Sequence, residues 1–339
     1  MEQRPILQVE DLITNFVTFD GVDTRVVRAV DKVSFEVPHG DRVALIGESG
    51  CGKSTLAQSI LRVLPPSGHV RGGRIWFEGE DLLAKTPKEM TSIRGREISM
   101  ILQDPMMSLN PVFTIGNQIA EGIIRHLGLQ DKELVERIEE LLVAVNISQP
   151  KQRMKQYPHE MSGGMRQRVV GAIALSCNPK IIIADEATTN LDVTIQLQFL
   201  NLLKHIHDET GVTLIFITHD LGIVAEMCRR VLVMYAGKIV EEALVTEVFD
   251  NPAHPYAKGL LGAAFGLQDL SRRTPISGEP PDLANLPPGC SFHPRCPETL
   301  DICRSQEPPE TILSGSRRVR CWLYAGNGER KDFRETGSA

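Results

Sequence analysis

The chain has 339 residues, 42% of them apolar and 24% charged, the composition of an ordinary globular protein with room for about two domains. A net charge of −6 argues against the basic stripe that broad binding to nucleic acid requires. No run approaches the roughly 18 apolar residues of a membrane span, and the charged N-terminus MEQRPILQVEDL lacks the apolar segment of a secretory signal, so the chain is expected to stay in the cytosol.

Short β-rich stretches come first, at Ile6–Val9, Arg28–Val37 and Arg42–Gly47; the alternation in VDKVSFEV fits a half-buried strand. The run VALIG then meets a glycine-rich loop, and a helix is expected from Lys53. Ile75–Glu78 and Ile98–Leu102 read as further strands. Helical spacing takes over between about Ile115 and Tyr157, where Leu134, Ile138, Leu141, Leu142 and Val145 recur on one face of KELVERIEELLVAVN. Lys180–Ala184 and Val212–Thr218 are short, apolar and β-branched, as strands buried on both faces are. The helical pattern Val193–His207 lies between them. This alternation predicts an α/β fold with a parallel sheet and one helical insert, at about residues 104–164. After Asn251 the texture changes: Thr274–Pro309 contains the pair PP three times, which excludes long helices and central strands. A loop-rich appendage that needs a staple is expected there.

The string GESGCGKST, Gly47, Glu48, Ser49, Gly50, Cys51, Gly52, Lys53, Ser54 and Thr55, satisfies the phosphate-loop pattern between a buried strand and a helix. Its glycines let successive N–H groups turn toward phosphate oxygens, and the helix N-terminus adds favourable partial charge. Lys53 is expected at the β- and γ-phosphates and Ser54 on Mg²⁺. Downstream, IIIADE ends a buried strand on two acids. Asp185 fits a Walker B carboxylate acting on Mg²⁺, and Glu186 is placed to orient or deprotonate the attacking water.

MSGGMRQR, Met161–Arg168, precedes a helical run about 20 residues before those acids. At this point the sequence resembles the ATP-binding cassette (ABC) family, whose signature usually reads LSGGQ. Gln103 in ILQDP is similar to the family's Q-loop, Asn190-Leu191-Asp192 to its D-loop, and His219 in ITHD to its switch histidine. The resemblance implies a P-loop NTPase core with an antiparallel β subdomain, an ATPase activity, and ATP with Mg²⁺ as ligands. Glu186, His219 and Gln103 would be catalytic, with Gln103 also at the Mg²⁺. It further implies that Ser162, Gly163 and Gly164 face an ATP held by the P-loop of a second subunit, with Asp192 at the same interface. Adenine would stack on Phe16 or Phe19. Ala187 stands where the family usually has proline, and Met165 where it has glutamine; neither change removes a reactive group.

NPAHPYAKGLL and PPGCSFHPRCPETLDIC resemble the C-terminal region of oligopeptide, dipeptide and nickel importer ATPases, and SGGMRQR resembles one of their two ATPase types. The resulting division is an ATPase domain over 1–250 and an importer-type extension over 251–339. Implied partners are a second, related but distinct ATP-binding subunit, two membrane-spanning permease subunits and an extracytoplasmic substrate-binding protein, with no nucleic acid. The chain would lie peripherally on the cytoplasmic face of the membrane. Cys290, Cys296, Cys303 and Cys321 are separated by five, six and seventeen residues, without the C-x-x-C knuckles of a zinc ribbon. The importer resemblance implies a [4Fe–4S] cluster on these four cysteines, with zinc as the alternative. The competing function is a soluble ABC ATPase acting on nucleic acid or ribosomes.

Overall fold

The computed structural model describes residues 4–20, 23–102, 108–189, 192–265, 276–326 and 330, with the side chains of residues 19, 20, 23, 24 and 265 outside that description. In chain order the strands are β1 (Leu7–Asp20), β2 (Asp23–Val37), β3 (Arg42–Ile46), β4 (Gly68–Phe77), β5 (Glu80–Asp81), β6 (Ile98–Ile101), β7 (Ile181–Asp185), β8 (Thr213–Ile217), β9 (Arg230–Tyr235), β10 (Lys238–Leu244), β11 (Glu310–Ser314) and β12 (Arg317–Arg320). The chain divides into two compact units, one from Met1–Ile6, Pro38–Arg42 and Asp81–Ile217, the other from Leu7–Val37, Val43–Glu80 and Thr218–Ala339.

The first unit carries β6, β7 and β8 in parallel, with β7 between the other two. Every residue of β7 and β8 is buried, which is why their sequences are unbroken apolar runs rather than alternating ones. The expected helical insert contains the helices Ile115–Leu127 and Asp131–Ala144. The first starts on Thr114, whose side chain accepts from the Asn117 N–H, and stops at Gly128 in a left-handed conformation. The second buries Ile138, Leu141 and Leu142, the face that the spacing marked. Helices Gly163–Leu175 and Val193–Thr210 complete this unit.

The second unit contains an antiparallel sheet in the order β2-β1-β4. Here the sequence reading fell short: the stretch expected at Ile6–Val9 is only the start of a strand that runs to Asp20. Register shifts between Val9 and Leu12, Leu12 and Thr14, and Thr14 and Asn15 break the two-residue period on which strand recognition rests. The same unit pairs β3 with β9 in parallel, from Val43 opposite Arg230 to Ile46 opposite Val233. Antiparallel β10 lies beyond β9.

The appendage is less loop-like than its prolines suggested. Its hairpin β11–β12 joins β10, with Glu241 opposite Val319 and Glu242 opposite Arg318. Ala253, Val319, Cys321 and Leu323 form a small buried cluster. Phe292 is buried with its ring 5.1 Å from that of Tyr235 and 5.4 Å from that of Tyr256. The staple sought in the sequence is therefore supplied in part by ordinary packing and strand pairing. Between Thr274 and Pro309 the described residues form turns and short 3₁₀ segments, as proline requires.

Candidate nucleotide-binding site

The phosphate loop leaves β3 at Ile46 and enters the helix Lys53–Leu61. Gly52 sits at φ +109°, and a β-carbon there would lie 2.0 Å from the Ala29 carbonyl oxygen, so only glycine fits. One at Gly47 would lie 2.2 Å from the Met234 carbonyl oxygen. The loop is thus wedged against backbone on both sides. The Cys51 carbonyl also accepts from the Gly237 N–H at 2.9 Å. Lys53, 5% exposed, donates from Nζ to the carbonyl oxygens of Gly47 at 2.8 Å and Glu48 at 3.0 Å. Ser49, Gly50 and Ser54 are exposed at the loop's open side, and Thr55 is half-buried. Burial raises the Cys51 thiol above its usual range, the nearby Lys53 opposing it; it is a packing residue rather than a poised nucleophile.

His219 belongs to the same unit. It is exposed rather than part of the core. The preceding Thr218 N–H donates to the Leu45 carbonyl at 3.3 Å, at the end of the strand that feeds the phosphate loop. Asp220, next in sequence, caps the helix Leu221–Met227 by accepting from the N–H groups of Gly222 and Ile223. Phe16 lies half-buried on β1, opposite Gly68 of β4. The side chain of Phe19, the other adenine candidate, falls outside the described residues.

The first unit holds the acids and the signature. Asp185 closes β7 and is buried. Glu186 follows at φ +47°, its N–H donating to the Ile217 carbonyl at 2.8 Å. That left-handed φ is uncommon for a residue other than glycine, the kind of local strain that clusters at functional positions. Ser162 is the cap of the signature helix: its hydroxyl accepts from the Met165 N–H at 3.3 Å. Ser162 and Gly163 are exposed and Gly164 half-buried, so the helix N-terminus is open to an anion. Asp192 caps the helix Val193–Thr210, accepting from the Ile195 N–H at 3.0 Å. Gln103, Asn190 and Leu191 lie outside the described residues.

Three features at these motifs were not found from sequence. Gln167, inside the signature string, bonds the backbone at Ala187. Tyr256 and Arg295, both from the appendage, bond Glu48 of the phosphate loop. Only chemistry hinted at them, through an arginine between two cysteines and a tyrosine at a helix start; their partners are far off in sequence.

The four late cysteines influence one another. Burial, then the neighbouring thiols, pushes Cys321 up to about 12 and Cys290 up to about 11, and Cys296 is also raised. The other three thiols all contribute to the shift of Cys321. Among the described residues, however, no group of three or more His, Cys, Asp or Glu side chains could hold a metal ion, so neither a [4Fe–4S] nor a zinc centre is evident as such.

The sequence profile described as "ABC transporter" matches residues 30–189, and the one described as "Oligopeptide/dipeptide transporter, C-terminal region" matches residues 240–303. The dipeptide transport ATP-binding protein DppD of Bacillus subtilis (strain 168) is 50% identical over 327 residues, spanning 96% of each chain. The oligopeptide transport ATP-binding protein OppD of the same organism is 46% identical over 321 residues, 94% of this chain and 88% of that one. Among solved structures, the dimeric ATP-binding cassette MJ0796 in a post-hydrolysis state with ADP and Pi aligns at a TM-score of 0.62 and 25% identity, over 70% of this chain and 98% of that chain. The cbiO1 protein of Clostridium perfringens aligns at a TM-score of 0.62 and 27% identity, over 74% of this chain and 92% of that chain. With this likeness over nearly its full length, the chain belongs to the ABC transporter family as an ATPase of the oligopeptide/dipeptide type.

Proposed function

We propose that this ATPase drives uptake of di- or oligopeptides, working beside a related but distinct ATP-binding subunit and beneath two permease subunits supplied by an extracytoplasmic binding protein. The observation that carries this reading is the likeness, over 96% of both chains, to a dipeptide transport ATP-binding protein. No helix among the described residues is long and apolar enough to cross a membrane, which fits a peripheral subunit on the cytoplasmic side. The working division is an ATPase part over 1–250 and an importer-specific part over 251–339.

In this reading the free backbone N–H groups of the loop Gly47–Thr55 and the ammonium of Lys53 hold the polyphosphate, while Ser54, Asp185 and Gln103 would hold Mg²⁺, which when bound would offset phosphate charge. Glu186 accepts a proton as the water oxygen bonds to the γ-phosphorus and the bond to the bridging oxygen breaks, releasing ADP and phosphate. His219 contacts the γ-phosphoryl group. Ser162, Gly163 and Gly164 present donors to the ATP of the facing subunit, with Asp192 at that interface, so hydrolysis requires a closed pair. Phe16 or Phe19 stacks on adenine.

We assign Cys290, Cys296, Cys303 and Cys321 to a [4Fe–4S] cluster. Its support is the mutual influence of the four thiols. Such a group would tie the loops of the appendage together. Iron and sulfide assay after anaerobic purification tests this; colourless, zinc-loaded protein overturns it.

The transport reading is tested by reconstituting the chain with its co-purified permeases in vesicles and measuring uptake of labelled peptides. Glu186→Gln is expected to retain bound ATP in a closed complex without turnover. Normal hydrolysis in that variant would remove Glu186 from its role, and ATP-driven uptake that no peptide competes with would overturn the cargo.

A further inference from the structure

Glu48 is the second residue of the phosphate loop, and both its carboxylate and its N–H are held by residues outside that loop. Its carboxylate receives both arms of the Arg295 guanidinium, Nη1 to Oε2 at 2.6 Å and Nη2 to Oε1 at 2.9 Å. Its N–H donates to the Tyr256 hydroxyl at 2.8 Å. Its carbonyl accepts from Lys53 at 3.0 Å. The side chain of Arg295 is 5% exposed and that of Glu48 23%. Arg295 is fixed in turn: Nε donates to the Ser277 carbonyl at 3.1 Å, and the guanidinium lies 5.9 Å from the Tyr235 ring centroid. Tyr256 packs with its ring 4.5 Å from that of Tyr235. Arg295 closes the 3₁₀ turn His293–Arg295 and directly precedes Cys296, so the grip comes from the cysteine-bearing part of the appendage.

A carboxylate beside a loop built for a polyphosphate is electrostatically unfavourable. A planar, bidentate partner both cancels that charge and fixes the residue bearing it. Removing the arginine alone would leave a half-buried carboxylate unpaired, the costly way to break such a pair.

We propose that Arg295 and Tyr256 are positioning residues for ATP: the importer-specific appendage holds Glu48 and neutralises it, so the phosphate loop binds nucleotide fully only when the appendage is docked. This rests on Gly47–Thr55 being the ATP site. The appendage thereby acquires a role in the ATPase cycle itself, beyond any role in assembly.

The test is a double-mutant cycle on the full chain, with MgATP affinity read by titration and KM and kcat read in the assembled transporter. Arg295→Met is expected to raise Kd and KM for ATP about tenfold with kcat changed less than about threefold. Adding Glu48→Gln to Arg295→Met should recover most of that loss, because no unpaired carboxylate remains. Arg295→Lys and Tyr256→Phe, which disturb packing less, should each raise Kd about threefold. If Arg295→Met melts like wild type and binds ATP like wild type, the proposal fails. It fails equally if the double variant binds no better than Arg295→Met, which would mark Arg295 as merely structural. Lys53→Ala separates the two readings: its loss of binding upholds the ATP site whatever Arg295 does, and wild-type binding there would overturn the site itself.

Discussion

Gln167 Nε2 donates to the backbone carbonyl of Ala187 at 2.5 Å, joining the signature helix to the turn that carries Glu186. Gln167 is 0% exposed and Ala187 7%. The helix is held close on another side as well: a β-carbon on Gly164 would lie 2.9 Å from Ile195 Cδ1, in the helix Val193–Thr210. The helices Gly163–Leu175 and Val193–Thr210 and the turn at Glu186–Ala187 are thus held together by close contacts. Gln167→Ala should strand a buried carbonyl, costing about 1–3 kcal/mol of stability. Because the stranded group sits next to Glu186, kcat for ATP should fall about tenfold with KM little changed, as a shift of about 1.4 kcal/mol in the barrier produces. Steady-state ATPase assays of the assembled transporter, beside thermal melts, check both values.

Gly52→Ala is expected to cost more than its size suggests. The residue sits at φ +109° with the Ala29 carbonyl oxygen 2.0 Å from the added carbon, so the loop must move. Strain of about 1–3 kcal/mol would displace the N–H groups proposed to hold phosphate. Calorimetric titration should show ATP binding lost while the far-UV circular dichroism spectrum is kept.

Glu241 anchors the appendage. Its carboxylate is fully buried and accepts from the N–H groups of Ala253 at 2.9 Å and His254 at 2.8 Å, ahead of the helix Pro255–Phe265, and from Arg317 at 3.0 Å. Glu241→Ala leaves Arg317 without this carboxylate and opens two backbone donors, a loss of about 3–5 kcal/mol by the usual cost of breaking a buried pair. Limited proteolysis should then cut the chain after Asp250, before any cut within residues 42–101.

Acid should loosen the same region through His254. Burial holds this imidazole down to about 3, against 6.5 for the exposed group, and its Nδ1 accepts from the Tyr256 N–H at 3.0 Å. The unfolded chain takes up a proton below about pH 6.5 and the folded chain does not until about pH 3. Stability is therefore complete above the upper value and is lost as pH falls toward the lower one, by about 1 kcal/mol per pH unit. Urea midpoints at pH 7.5 and pH 5 should show the decline, and His254→Asn should flatten it while lowering stability at the higher pH.

Several parts of the site are written locally. The phosphate loop and the buried strands β7 and β8 depend on residues a few positions apart, so spacing alone exposes them, whereas the caps at Ser162, Asp192 and Asp220 emerged from the structure. The ATPase identity follows from such signals in their order. The extent of β1 was hidden because three register shifts destroy the alternation that marks a strand. The hairpin β11–β12 was hidden because it is completed by pairing with β10, some seventy-five residues earlier in the chain. The bonds at Ala187 and Glu48 were hidden most deeply. Arg295 and Glu48 stand 247 positions apart, and no periodicity or cap rule couples them. Motif spacing in the sequence carries the chemistry expected of the phosphate loop; the bonds from Tyr256 and Arg295 to Glu48 belong to the tertiary structure, because a hydrogen-bond partner is chosen by proximity in space.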